Sequence, residues 1–157
     1  MHNKRGNFIL KTGTALLVAF ALIAFGAWDC LKYKNTTRAI NEAVKLFRLF
    51  KNEIYYRGTD YYSLCRLAEK ENFKYITFAE NKITLNGVSD FTVNNEFSYY
   101  AEKIGTTDTQ GQLALCDEAI EKLNASFLEH RRKESSRLQV NMSLSFLSAL
   151  SIILIFI

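Results

Sequence analysis

The feature that most constrains this chain is its last fifty residues, Asp108 to Ile157, which carry one unbroken helical pattern. The pattern opens at a capping sequence, Ile104-Gly105-Thr106-Thr107-Asp108-Thr109-Gln110-Gly111-Gln112. It continues through an apolar seam, crosses a basic collar and ends as an uncharged apolar tail. No proline interrupts it, and the whole chain has none. At the α-helical rise, such a helix is about 75 Å long. Its first half suits water and its second half suits lipid.

The seam is made by Leu113, Cys116, Ile120, Leu123 and Phe127, at steps of three and four residues. That is coiled-coil-like spacing over two heptads. An earlier stripe, Ile40, Ala43, Val44, Phe47, Phe50 and Ile54, has the same period and is its expected antiparallel partner in a bundle. Thr36 or Thr37 is a candidate cap for this earlier helix, and Gly58 closes it. A shorter helix is expected from Thr59 or Asp60, with Tyr61, Leu64, Cys65 and Leu67 or Ala68 inward. Another is expected from Phe91 or Thr92 to Ile104, with Phe91, Val93, Phe97, Tyr100 and Ala101 inward and Gly105 closing it. Phe73 to Thr84 is expected to be helical too. Tyr75 to Phe78 has strand character, but its nearest partner is the short Lys82 to Leu85, and an isolated two-stranded hairpin is marginal. At the start of the long helix, Thr107 with Gln110 fits a capping box, and Asp108 as the cap is equally possible.

The chain's other end is also apolar. Thr12 to Trp28 has no charge before Asp29, and with Phe8, Ile9 and Leu10, and Lys11 snorkelling, it reaches the length a bilayer needs. Leu138 to Ile157 is a second uncharged stretch. Domains are therefore expected at 1–31 (tail and membrane helix), 32–137 (a cytosolic helical bundle) and 138–157 (membrane helix). A cleaved signal peptide is the rival reading of the first segment. Charge favours the retained anchor. The bundle side carries Lys32, Lys34, Arg38, Arg131, Arg132, Lys133 and Arg137, against Lys4, Arg5 and Lys11 beyond. By the positive-inside rule the bundle stays in the cytosol. Asn141, Ser145 and Ser148 share a face of the second span, which suits either a helix contact in lipid or back-bonding to the helix itself.

Reaction chemistry is not visible in the sequence. His2 and His130 have no carboxylate at ligand spacing, the glycines form no phosphate loop, and no Ser or Cys sits in a nucleophile motif. Cys30, Cys65 and Cys116 lack the spacing of a zinc site or disulfide framework, so reduced, buried thiols are expected. A net charge of +4 does not point to nucleic acid. No cofactor, no metal and no enzyme activity are expected. Tyr55, Tyr56, Tyr61, Tyr62, Tyr99 and Tyr100 are expected to fill the core or the ends of the bundle; a ligand pocket among them is the alternative. The Arg131-Arg132-Lys133 collar, with Arg137, is expected to face lipid head groups and set topology.

Two stretches carry a family resemblance. One is Phe50-Lys51-Asn52-Glu53-Ile54-Tyr55-Tyr56-Arg57-Gly58-Thr59. The other is the Ile104 to Gln112 cap with the Ile120 and Leu123 seam. Lying between two apolar ends, they resemble the stage III sporulation protein AB family. The match is poorer from Phe73 to Asn95, and Thr59-Asp60-Tyr61 stands where the family usually has Thr-Pro-Leu. The resemblance implies an all-α fold, a small cytosolic bundle similar to the F domain of type II secretion and type IV pilus platforms, with a long final helix. It implies a non-enzymatic platform in a secretion-like complex of the mother-cell membrane facing the forespore. The implied partners are a cytosolic ATPase, stage III sporulation protein AA, and other membrane proteins of the complex, with a homo-oligomer possible. Glu53, Tyr55, Asp108 and Gln112 are the signature positions and candidate partner contacts. A reading from a different class is a membrane-anchored sensor or adaptor that binds a small ligand or a protein.

Overall fold

A computed structural model describes residues 3–79 and 82–156. Within its helices the side chains of residues 3–12, 15, 16, 19, 22, 29, 30, 137, 138, 141, 149, 153, 155 and 156 lie outside the description. The protein is mostly helical. Its elements in chain order are α1 (Asn3–Arg57), α2 (Tyr61–Lys70), β1 (Ile76–Ala79), β2 (Lys82–Leu85), α3 (Phe91–Lys103) and α4 (Thr109–Phe156). The chain divides into two compact units, one of Lys34–Arg131 and one of Met1–Tyr33 with Arg132–Ile157.

Two expectations about the elements are corrected. Thr36 and Thr37 do not cap a separate helix, because α1 runs through them. Between Trp28 and Ile40 there is neither Gly nor Pro to stop a helix. Both threonines are buried, and Thr36 Oγ1 donates to the Gly87 carbonyl at 3.2 Å. The second correction is Phe73 to Thr84, which is a β-hairpin and not a helix. β1 and β2 pair antiparallel with Ile76 opposite Leu85 and Phe78 opposite Ile83. That register puts Ile76, Ile83 and Leu85 into the core and leaves Thr77, Ala79 and Lys82 exposed. The hairpin gains from tertiary burial what its few ladder bonds lack. α3 packs on β2. Just before β1, Tyr75 is fastened to α1 at both ends. Its N–H donates to Glu42 Oε2 at 2.8 Å and its hydroxyl to Asn35 Oδ1 at 3.0 Å. The all-α expectation therefore holds as "mostly helical", with a two-stranded sheet added.

The Lys34–Arg131 unit is built around the two expected stripes. On α1, Ala39, Ile40, Ala43, Val44, Leu46, Phe47, Phe50 and Ile54 are buried; on α4, so are Cys116, Ala119 and Leu123. Leu113, Ile120 and Phe127 are partly buried against the same core. Phe47 sits among Phe50, Phe97 and Tyr100, with ring centroids at 6.3, 5.7 and 6.3 Å and all edge-on. That is the arrangement aromatic quadrupoles favour. On the surface, Lys51 Nζ lies 2.6 Å from Asp117 Oδ1 and ties α1 to α4.

The other unit has the opposite polarity. Leu17, Phe20, Phe25, Trp28, Leu144, Phe146 and Leu154 are all exposed. Ser148 Oγ and Ser151 Oγ donate to the carbonyls of Ser145 and Leu147 on their own helix, at 3.0 and 2.9 Å. Ser148 thus back-bonds, and the Asn141 and Ala149 side chains of that face lie outside the described residues. So do those of Lys4, Arg5, Lys11, Cys30 and Arg137. Among the described residues, no helix is long and apolar enough to cross a membrane.

Candidate interaction surfaces

Most signature residues are engaged locally. Asp108 is the cap of α4. Its Oδ1 accepts from Gly111 N at 3.0 Å, and its carbonyl accepts from Gln112 N at 2.9 Å. The Gln112 amide turns back and donates to the Thr107 carbonyl at 2.9 Å. Glu53, with a side chain 16% exposed, pairs with Arg57 at 3.3 Å. Its carbonyl and carboxylate both accept from the Thr59 hydroxyl, at 3.3 and 3.4 Å. Asp108 and Gln112 open one helix, and Glu53 closes another. Asp60 caps α2 in the same way, its carboxylate held below the ordinary range by Ser63.

Tyr55 is different. It is 66% exposed, and Tyr56, at 78%, stands edge-on to it with ring centroids 4.9 Å apart. Tyr62 and Tyr99 are exposed as well, whereas Tyr100 is buried and Tyr61 half-buried. The expectation that the tyrosines fill the core or bundle ends is corrected for the exposed ones. Each lies on the outward side of its helix, while Ile54 beside Tyr55, Tyr61 beside Tyr62 and Tyr100 beside Tyr99 take the inward positions. Phe91, expected inward, is also exposed, because it stands at the first residue of α3, off the buried side set by Val93 and Phe97.

The basic collar is solvent-facing at Arg131, Arg132 and Lys133, and the Arg131 guanidinium lies 5.9 Å from the Phe127 ring centroid. Its neighbour His130 has a partner that sequence spacing did not show. His130 Nε2 lies 3.1 Å from Asp90 Oδ2, on the cap of α3. The two are forty residues apart, so only the fold brings them together. Burial pushes the Asp90 carboxyl up, but the Thr92 N–H and His130 outweigh this and hold it below the ordinary range. His130 Nδ1 and Asn94 Oδ1 are buried without a hydrogen-bond partner among the described residues.

Between α2 and the hairpin lies a cleft of about 340 Å³, lined by Tyr61, Tyr62, Cys65, Arg66, Phe78 and Ile83 among others. Burial, and then the hydrogen bond to Cys65, pushes the Tyr61 hydroxyl up to about 12. Burial likewise raises the Cys116 thiol to about 12, with Asp117 adding to it. Both groups are therefore uncharged at neutral pH in the folded unit. Cys65 and Cys116 are free thiols. Among the described residues no group of His, Cys, Asp and Glu is placed to hold a metal ion.

One surface has no counterpart among the signature positions: the outward face of α1, where Lys34, Arg38, Lys45 and Arg48 are all exposed. Their spacing of four, seven and three residues, opposite the apolar stripe, was the available signal. Compared with protein-family models, with curated proteins and with solved structures, the chain matches none.

Proposed function

We propose that the protein is a non-enzymatic membrane platform component. On this reading the Lys34–Arg131 unit docks a cytosolic ATPase, and the two ends hold that unit at the membrane. The observation that carries the reading is the outward display of large apolar side chains in the unit of Met1–Tyr33 with Arg132–Ile157. Exposed apolar surface of that extent is costly in water and is the expected exterior of helices in lipid. The basic residues Lys32, Arg131, Arg132 and Lys133 then stand where anionic head groups would meet them. Membrane attachment through residues 8–28 and 138–157 is part of the proposal.

The resemblance to the stage III sporulation protein AB family supplies the setting. It is a secretion-like complex at the mother-cell membrane facing the forespore, with stage III sporulation protein AA as the ATPase. Two measurements test the reading. The full chain should stay in the pellet after alkaline carbonate extraction of membranes. Purified in detergent, it should retain the ATPase on a column. Release by carbonate would remove the membrane half of the proposal, and failure to retain the ATPase would remove the platform half.

The cleft between α2 and the hairpin favours a second reading, a membrane-anchored sensor. Its about 340 Å³ is within the range of small-ligand sites, and Tyr61, Tyr62 and Phe78 supply aromatic walls beside Arg66. A ligand-dependent rise in the unfolding temperature of the full chain, lost in Arg66→Ala, would favour the sensor over the platform.

A further inference from the structure

We infer that the outward face of α1 from Lys34 to Tyr56 is a docking surface for an acidic helical face of a partner protein. The residues Lys34, Arg38, Asn41, Lys45, Arg48, Asn52, Tyr55 and Tyr56 fall within an arc of about 100° on the helix. This arc lies opposite the buried stripe of Ile40, Ala43, Phe47, Phe50 and Ile54. Its four cations extend along about 21 Å of helix. Among the described residues none of the four is paired with a carboxylate. The nearest acids on α1 lie to one side and are engaged. Glu42 accepts the Tyr75 N–H, and Glu53 is held by Arg57 and Thr59. Among the described residues the row of like charge has no carboxylate paired to it, only Glu42 beside it, and it ends in two exposed rings.

Charge and shape select the occupant. A row that keeps helical register, at steps of four, seven and three residues, is matched by carboxylates in helical register on another helix. Arginine and tyrosine are also the residues most often found as anchors at protein interfaces. A lipid surface fits less well. A helix that lies on a bilayer inserts an apolar face below its cations. Here the apolar face of α1 is spent in the core, and between Lys34 and Arg48 the arc adds only Asn41 and the buried Thr37. A second copy of this chain fits less well too. Of the carboxylates on α4, Asp117 is tied to Lys51, and Glu118 and Glu121 stand within about one turn of it, about 6 Å of helix against about 21 Å for the row.

The inference rests on the platform reading only for the identity of the natural occupant, the ATPase. The test uses the full chain in detergent and two probes. The first is a synthetic amphipathic helix with Glu at every third or fourth position on one face; its Gln counterpart is the blank. The second is the purified ATPase. The Lys45→Glu/Arg48→Glu variant is compared with Lys70→Glu/Lys122→Glu, which changes net charge equally but leaves the row intact. The row predicts that K45E/R48E weakens binding of the Glu peptide by about tenfold or more, with loss of its salt dependence, while the control changes it less than about twofold. Equal losses in both variants would mean diffuse attraction and would overturn the inference. So would binding to phosphatidylglycerol liposomes in place of the peptide, or a loss of self-association as the sole effect of K45E/R48E. If the peptide shows the predicted losses while the wild-type chain ignores the ATPase, the docking face stands and the platform reading falls. If the ATPase binds both variants alike and the peptide binds neither, the face falls and the platform stands.

Discussion

Gly105, at the junction of α3 and α4, should be a sensitive position, for reasons of backbone angle and close contact. Its φ is +88°, in the left-handed region, and a Cβ built on it would lie 2.9 Å from Tyr61 Cβ, 3.0 Å from Cγ and 3.1 Å from Cδ2. Gly58 is a natural control. Its φ is +59°, but a Cβ there meets nothing within 4 Å. Gly58→Ala should therefore cost only the left-handed penalty less the entropy gained in the unfolded chain, about 1 kcal/mol net. Gly105→Ala carries that and the overlap. Tyr61 Cβ is fixed to the first residue of α2 and cannot rotate away, so about 1–3 kcal/mol of overpacking is added, for a total of about 2–4. The fully buried Cys116 thiol is the reporter, because alkylation there requires the unit to open. At neutral pH, peptide-level mass spectrometry should find Cys116 labelled about fivefold faster in G58A and about 150-fold faster in G105A, taking about 3 kcal/mol for the latter. In a Tyr61→Ala background the cost of G105A should fall but stay above that of G58A, since removing the ring relieves Cγ and Cδ2 and leaves Cβ. If G105A labels no faster than G58A, the clash is not real and Gly105 is there for another reason.

Other substitutions separate packing from surface. Phe47→Ala empties the middle of an edge-on aromatic cluster and should destabilise by about 3–5 kcal/mol in the same labelling assay, against less than about 0.5 for the exposed Tyr56→Ala. Asp108→Ala removes the cap of α4 and should cost about 1 kcal/mol, with Asp108→Ser recovering most of it. Asp90 gives a pH dependence of known sign. Its folded value is depressed, so its contribution is fully present above the ordinary carboxylate range and is lost as pH falls through the folded value. Denaturation midpoints measured from neutral to acid should fall less steeply in Asp90→Asn than in wild type, and an unchanged slope would mean that His130 and Thr92 do not hold that carboxylate.

The helical core was legible because it is periodic. Ile40, Phe47 and Phe50, like Cys116 and Leu123, are the same surface seen every three or four residues, and that spacing survives any change of tertiary detail. The stop at Gly58 was legible, and the caps were legible to within one residue, as Thr59 or Asp60 and Thr107 or Asp108, for a local reason: few residue types can do those jobs. The hairpin was not legible. Judged as an isolated ladder it is marginal, and what rescues it is burial against α3 and the fastening of Tyr75 to Glu42 and Asn35. No window around residues 73–85 contains those partners. The Asp90–His130 contact was hidden for the same reason, since a separation of forty residues has no spacing to recognise.

The candidate site was harder to read than the fold because the residues that look special locally have local uses. Asp108 and Gln112 stand out in the sequence, yet one of them caps the first turn of α4 and the other reaches back to Thr107. Glu53 stands out and ends α1. A residue with its polar atoms committed within its own turn has less to offer a partner. Lys34, Arg38, Lys45 and Arg48 show the reverse. Each is an ordinary exposed cation, and none belongs to a motif. Their meaning lies in register, because α1 must turn its apolar stripe inward and so presents all four in one row with Tyr55 and Tyr56 beyond them. Substituting Glu53, Asp108 or Gln112 therefore perturbs mainly how the unit folds, and substituting the row perturbs mainly what the unit meets. Measuring stability and binding on both sets of variants tells the two apart.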